Sequence, residues 1–334
     1  MAGDATETTH AIRVDAFGGP EALNWRAVPL APPGPGEVRV RHTAIGINFI
    51  DTYHRSGLYP LTLPTGLGGE AAGVIEALGP EVSGWQVGQR IAYLGRQPTD
   101  AYSERRNVPA EWLVPLPDAI DDDTGASVLL KGLTAWFLLH ECHAVAPGDA
   151  ILVHAASGGV GQLLTQWAAS LGAEVIGIVS SDEKAALAEQ NGCHHVLRAD
   201  PATQAEQVRA LTDGAGVRVV YDSVGKDTFF ASLDSLAPRG LMVTYGNASG
   251  AVPPVAPLEL AQRGSLVLTR PVLFDFIADP DVRRAAVALL FERIADGTLS
   301  VRVGQRFALA DAADAHRALE SRATIGATVL VPDA

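Results

Sequence analysis

The sequence predicts an α/β protein of two domains, a doubly wound parallel sheet joined to a largely antiparallel β domain. Up to about residue 125, short strand-like runs are separated by Gly/Pro turns, and few long helical periods occur. Beyond Asp121, strands alternate with helix-length segments, the signature of βαβ units. A small-residue turn, Ala155–Gly161, stands where the first strand of that alternating region enters its helix.

In the first region Ala11–Val14, Glu37–Ala44, Ala72–Leu78, Arg90–Leu94 and Tyr102–Val108 read as strands, punctuated by Gly18-Gly19-Pro20, Pro32–Gly36, Gly79-Pro80 and Gly84–Gly88. In the second, strands are expected at Asp149–His154, Ala173–Val179, His195–Leu197, Val217–Asp222, Leu241–Tyr245 and Ser265–Thr269. Helices are expected at Val160–Leu171 and at Asp182–Gln190, the latter closed by Asn191-Gly192. Six such strands suffice for a complete doubly wound fold. After Pro271 an amphipathic helix (Asp279–Asp296), a strand ending at Phe307, a helix over Ala310–Glu320 and a strand at Thr328–Val331 are expected to return to the first domain. The domains are therefore drawn as 1–129 with 270–334, and 130–269.

Composition excludes several functions. The 334 residues are 47% hydrophobic and 19% charged, as in a globular protein with a sizeable core. A net charge of −13 argues against a surface built to neutralise phosphates, so no nucleic-acid partner is expected. The polar N-terminus lacks a basic and apolar leader pattern, and the longest apolar run, near Leu133–Leu139, is too short to span a bilayer. No membrane partner is expected, and the cytoplasm is the expected location. The two cysteines, Cys142 and Cys193, read as reduced thiols.

The strongest chemical signal is Asp149–His154 running into Ala155-Ala-Ser-Gly-Gly-Val-Gly161. Gly158 and Gly159 let backbone approach a pyrophosphate, whose charge the helix N-terminus favours, and Gly161 lets helix and strand pack closely. The spacing differs from G-x-G-x-x-G, and a tight strand–helix turn without a ligand is the bland alternative. With the alternating units behind it, a Rossmann dinucleotide site is the preferred reading. At the end of the second strand an NAD-selective site places an acid against the ribose 2′-hydroxyl. Here Ser180-Ser181 stand instead, with Lys184 a turn later and Arg198 after the third strand, which favours the 2′-phosphate of NADPH. In the first domain Asn48, Asp51 and Tyr53 cluster near a strand end; a cleft-facing set and an N-capped helix are equally open from spacing alone.

These residues sit in longer blocks: Phe17–Glu21, Gly46–Tyr53, Arg55–Tyr59, Gly68–Gly73, Leu130–Thr134, His154–Gly161, Tyr221–Gly225, Tyr245–Ser249 and Glu320–Thr324. In this order the sequence resembles the zinc-independent quinone oxidoreductases of the medium-chain dehydrogenase/reductase superfamily, the zeta-crystallin-like group, over about Ile12 to Pro332. The resemblance implies a GroES-like catalytic domain beside the Rossmann domain. It implies cleft roles beside the nicotinamide for Asn48, Asp51 and Tyr53, and assigns Lys131 and Thr134 to the segment below it. It assigns Ser157, Gly158, Gly159 and Val160 to the pyrophosphate loop, and Ser180 and Lys184 to the 2′-phosphate. Gly246 and Asn247 fall in the loop after the fifth strand, Thr269, Arg270 and Pro271 on the nicotinamide wall, and Arg322 on a cofactor phosphate. Ala199 departs from relatives that carry Tyr or His against that phosphate, which gives Arg198 more weight.

Zinc-containing relatives carry Cys and Gly-His-Glu where this sequence has Asn48 and Gly69-Glu70, and a four-cysteine cluster that two cysteines cannot supply. No metal site is expected, and with it goes the Lewis acid for ordinary alcohol oxidation. The implied activity is NADPH-dependent reduction of a quinone, with Asn48 and Tyr53 donating to its oxygen. A C=C reductase acting on enones or enoyl thioesters, and a non-catalytic or RNA-binding NADPH protein, are the alternatives; the net charge counts against RNA. Self-pairing of the last Rossmann strand, Ser265–Thr269, predicts a homodimer.

Overall fold

The computed structural model describes residues 7–96, 100–321 and 324–332. The chain divides into two compact units, Met1–Leu130 with Arg302–Ala334, and Lys131–Val301.

The first unit opens with strands β1 (Thr8–Arg13), β2 (Asn24–Pro29) and β3 (Glu37–Ile47), then helix α1 (Phe49–Ser56). It continues through β4 (Glu70–Leu78), β5 (Arg90–Leu94), β6 (Arg105–Pro109) and β7 (Leu113–Pro115) into α2 (Asp122–Phe137), within which the division falls. Strand β6 starts later than the sequence suggests, because the Ser103 amide turns back to bond the Ala101 carbonyl and interrupts the extended chain.

The second unit alternates strand and helix: β8 (Ala150–His154), α3 (Gly159–Ser170), β9 (Glu174–Val179), α4 (Asp182–Gln190), β10 (His195–Arg198), α5 (Gln204–Leu211), β11 (Val217–Asp222), α6 (Phe229–Asp234) and β12 (Leu236–Thr244). Helix α7 (Pro257–Gln262), β13 (Val267–Thr269), α8 (Leu273–Phe276) and α9 (Pro280–Ala295) follow. Its six strands are all parallel in the order β10-β9-β8-β11-β12-β13. That is the Rossmann order, reversing between β8 and β11. Ile151–Val153 and Val219–Tyr221 are fully buried, as expected of central strands covered on both faces. Helix α4 starts where Ser181 Oγ accepts the Lys184 amide. Strand β13 begins two residues later than expected, since Ser265 lies in the left-handed region at φ 60°.

The chain then returns to the first unit as β14 (Val303–Ala308), α10 (Ala312–Glu320) and β15 (Ala327–Val331). A seven-stranded sheet runs β14-β15-β3-β4-β5-β7 with β6 on β3; apart from the parallel β14–β15 pair its pairings are antiparallel. Val38, Val40, Ile75, Ile91 and Leu330 fill the core beneath it.

One boundary differs from the sequence expectation: residues 270–301 belong with the nucleotide-type unit. Phe276 stacks on Phe137 at 4.7 Å, Leu290 packs over Gly132, and Ser300 exchanges two hydrogen bonds with Gln166 at 2.7 and 3.1 Å. Ala286, Val287, Leu290 and Phe291 of α9 are buried, but the unbroken apolar run Ala285–Phe291 forms no one-sided stripe, so the expected amphipathic helix does not say which core receives it. No helix among the described residues is long and apolar enough to cross a membrane.

Candidate active site

In the second unit, the loop between β8 and α3 lies at the carboxyl end of the sheet, beside the reversal of strand order. Ala155 turns the chain at φ 51°, Ser157 is buried, and Gly158 caps α3 in extended geometry. A Cβ on Gly161 would come within 2.9 Å of Ala155 C and Ala156 Cα, and closer still to the Ala155 carbonyl oxygen. Glycine is thus required for helix and loop to close. A Cβ on Gly158 would meet little besides that oxygen, at 3.1 Å. The first helical turn presents Gly159 and Val160, where unpaired amides and the helix dipole favour an anion.

The neighbouring strand end is braced by Asp222, which is fully buried. Its Oδ1 accepts from the amides of Val224 and Gly225 at 2.8 and 3.0 Å, and its Oδ2 accepts from the hydroxyls of Thr228 and Ser232 at 2.7 and 2.8 Å. Ser232 spends its one proton on Asp222, so His154 Nε2 donates to Ser232 Oγ at 2.9 Å. Burial lowers the His154 pKa, only partly offset by Asp222, which keeps this ring neutral. The loop after β12 nests against this one: the Ala248 amide bonds Ser223 O, and Gly246 approaches Ser223 too closely for any side chain. Arg270, at the end of β13, donates to Gly246 O at 2.9 Å and Thr244 Oγ1 at 3.3 Å, tying the loop holding Gly246 and Asn247 to Thr269–Pro271. Lys131 and Thr134 lie on α2, Lys131 buried and Thr134 half-buried.

At the end of β9, Ser180 is exposed and Lys184 half-buried one turn into α4. Arg198 reaches back from β10 to donate to Ser180 O at 2.8 Å and pairs with Asp182 at 3.2 Å. Three of the expected 2′-phosphate residues therefore meet on one edge, although Asp182 competes for Arg198. Arg322 lies outside the described residues.

In the first unit, Asn48 is the N-cap of α1, as one of the two readings of this block expects. Its backbone amide donates to Asp51 Oδ2 at 2.9 Å, and its Nδ2 donates to Glu70 Oε1 at 2.8 Å. Glu70 Oε2 accepts the Leu130 amide at 2.8 Å. Asp51 is fully buried and also accepts the Tyr102 hydroxyl at 2.9 Å, a bracing place rather than a substrate-contacting one. Tyr53 packs edge-on against Tyr59 with ring centres 5.2 Å apart, and Phe49 lies 6.2 Å from Tyr53. Sequence reasoning missed Asp222 and Tyr102 as supports. Asp222 finds its partners within ten residues, in the turn from β11 into α6, whereas Tyr102 and Asp51 lie 51 residues apart.

This donor set does not fit a zinc ion: Asn48 turns an N–H toward Glu70, whose second oxygen is taken by a backbone amide. Among the described residues no three His, Cys, Asp or Glu side chains converge.

A GroES-like sheet unit and a Rossmann unit with a phosphate-type loop define the class, a medium-chain dehydrogenase/reductase. Residues 34–118 match the "Alcohol dehydrogenase GroES-like domain" model and 159–290 the "Zinc-binding dehydrogenase" model. A quinone oxidoreductase of Pseudomonas aeruginosa is 51% identical over 96% of this chain and 99% of its own. A 2-haloacrylate reductase of Burkholderia is 46% identical over 95% and 97%. The Escherichia coli quinone oxidoreductase crystallised with NADPH superposes with a TM-score of 0.91 at 44% identity, covering 98% of this chain and all of that one. The chain belongs to the quinone oxidoreductase family of that superfamily.

Proposed function

We propose that this protein reduces quinones with NADPH and uses no zinc. Two observations carry the reading: in one unit, strand β9 is followed by Ser180 rather than an acid and Arg198 donates to Ser180 O; in the other, Asn48 is bonded to Glu70 in a place that zinc relatives use for ligands. Ser157, Gly158, Gly159 and Val160 would hold the pyrophosphate, and Ser180, Lys184 and Arg198 the 2′-phosphate. Lys131, Thr134, Gly246, Asn247, Thr269, Arg270, Pro271 and Arg322 would hold the rest of the nucleotide. When bound, NADPH supplies the hydride, and the acceptor takes one further proton to become the hydroquinone. Asn48 and Tyr53 orient the acceptor oxygen by hydrogen bonding, Tyr59 forms an aromatic wall, and Asp51 braces the shelf. A quinone needs orientation more than polarisation, because it accepts electrons readily.

The similarity to a 2-haloacrylate reductase supports a second reading, reduction of an activated C=C bond. An acceptor panel with purified protein separates the two. NADPH oxidation driven by 1,2-naphthoquinone far faster than by 2-alkenals or haloacrylates supports quinone reduction, and the reverse ranking supports the alternative.

We further propose a cytoplasmic homodimer. Strand β13 ends the sheet, with Val267 53% exposed, and an apolar edge of this kind is covered by pairing with a second copy.

A further inference from the structure

The bonds that fix Asp51 lead out of α1 into a buried chain of polar groups. Asp51 Oδ2 meets the Tyr102 hydroxyl at 2.9 Å, and that hydroxyl lies 3.1 Å from His316 Nε2. His316 Nδ1 lies 3.1 Å from Arg55 Nη1. Arg55 is gripped by Glu320 at 2.7 and 3.0 Å and donates from Nε to Gly18 O at 3.1 Å. Tyr102, His316 and Arg55 are all at most 2% exposed, and partners along the chain lie 51, 214 and 261 residues apart.

Counting protons fixes the direction of every link. A guanidinium can only donate, so His316 Nδ1 accepts from it and the ring proton sits on Nε2. That proton goes to the Tyr102 oxygen, whose own proton goes to Asp51. The chain is thus polarised one way, from the Arg55 cation to the Asp51 carboxylate. Burial, aided by the Arg55 charge, pushes His316 down to about 3, and burial beside Asp51 holds Tyr102 well above its ordinary range. Both bridging groups are therefore neutral. Arginine does not deprotonate in proteins, so the chain ends on a fixed charge and cannot carry protons in from solvent. What it can transmit is position.

We propose that Tyr102, His316 and Arg55 are positioning residues for quinone reduction. They link the Arg55 cation, itself paired with Glu320, to Asp51 through two neutral groups, which locks Asp51 and, through the Asp51–Asn48 amide bond, sets how Asn48 and Tyr53 meet the acceptor. By this route the C-terminal helix α10, which carries His316 and Glu320, controls the acceptor shelf on α1. The inference rests on the quinone reading of that shelf.

Tyr102→Phe keeps the ring packed edge-on to His316 but leaves Asp51 one donor short and His316 Nε2–H without its acceptor. His316→Leu breaks the same bridge, whereas His316→Gln retains an amide that can donate to Tyr102. Turnover and KM for 1,2-naphthoquinone are measured at saturating NADPH, with NADPH affinity and the thermal midpoint read on the same samples. Tyr102→Phe and His316→Leu are expected to lower kcat about tenfold, an effect of misplacement rather than lost chemistry. NADPH affinity should stay within about two-fold, since every residue assigned to the nucleotide except Arg322 lies in the other unit, and His316→Gln should recover most of the turnover. Wild-type kcat and KM in folded Tyr102→Phe would overturn the proposal. So would a kcat loss that merely follows the folded fraction, or equal losses in His316→Gln and His316→Leu. Wild-type protein inactive toward quinones would overturn both this and the functional reading, whereas active wild type with unaffected variants overturns this alone.

Discussion

Substituting alanine for each of two glycines in the β8–α3 loop distinguishes a phosphate cradle from a bare strand–helix turn. At Gly161 the added Cβ collides with the protein itself, within 2.9 Å of Ala155 C and Ala156 Cα. Ala155 cannot retreat freely, because it is already left-handed and its carbonyl accepts the Gly158 amide at 2.8 Å. The helix must move instead. Overpacking of this kind costs ~1–3 kcal/mol, which for a unit of this size lowers the thermal midpoint by about 2–12 °C. At Gly158 the backbone is extended and the added Cβ meets Ala155 O at 3.1 Å, so the loop yields by a few tenths of an ångström and stability barely changes. Its remaining obstruction is to a ligand. Displacing the phosphate enough to lose one charge-assisted hydrogen bond, ~1.5–3 kcal/mol, weakens NADPH about 10- to 150-fold. Differential scanning fluorimetry without nucleotide and an NADPH fluorescence titration provide the two readouts. Gly161→Ala should lower both stability and affinity, and Gly158→Ala affinity alone. If Gly158→Ala binds NADPH like the wild type, this loop holds no pyrophosphate and the argument fails.

Lys184→Ala should weaken NADPH about tenfold, the lower end for a part-exposed charge, with the difference shrinking as salt rises and NADH unaffected; equal weakening of both nucleotides would disprove the 2′-phosphate assignment. Light scattering should give a dimer mass that Val267→Lys, a charge placed on the open β13 edge, shifts toward monomer; a wild-type monomer at micromolar concentration contradicts the pairing. Burial pushes His42 and His316 down to about 3 and His54 to about 4, against 6.5 when unfolded. The unfolded chain therefore binds more protons below pH 6.5, so stability is full above that value and lost as pH falls toward 4 and 3. His54→Leu should flatten part of that fall in thermal midpoint, and an unchanged slope would show that His54 is not buried neutral.

Much of the fold was legible because its signals are local. The six parallel strands follow from apolar runs at βαβ spacing, and the end of α4 from the closing Asn191-Gly192. Strand β2 was missed because Asn24–Pro29 is mostly exposed and carries no apolar alternation. The short helices α5 to α8 give too few turns for a period to emerge. In the site, the glycine loop and Ser180–Lys184 announce themselves by spacing. Arg198 meeting Ser180 O and the Asp51–Tyr102–His316–Arg55 chain do not, since tertiary pairing alone brings them together.

The central claim is tested most directly by steady-state NADPH oxidation with 1,2-naphthoquinone, using protein dialysed against a chelator and assayed for zinc. The account predicts turnover undiminished by chelation, zinc far below one ion per chain, and a clear preference for NADPH over NADH. Stoichiometric zinc with activity abolished by the chelator, or no quinone-dependent oxidation of NADPH, would contradict it.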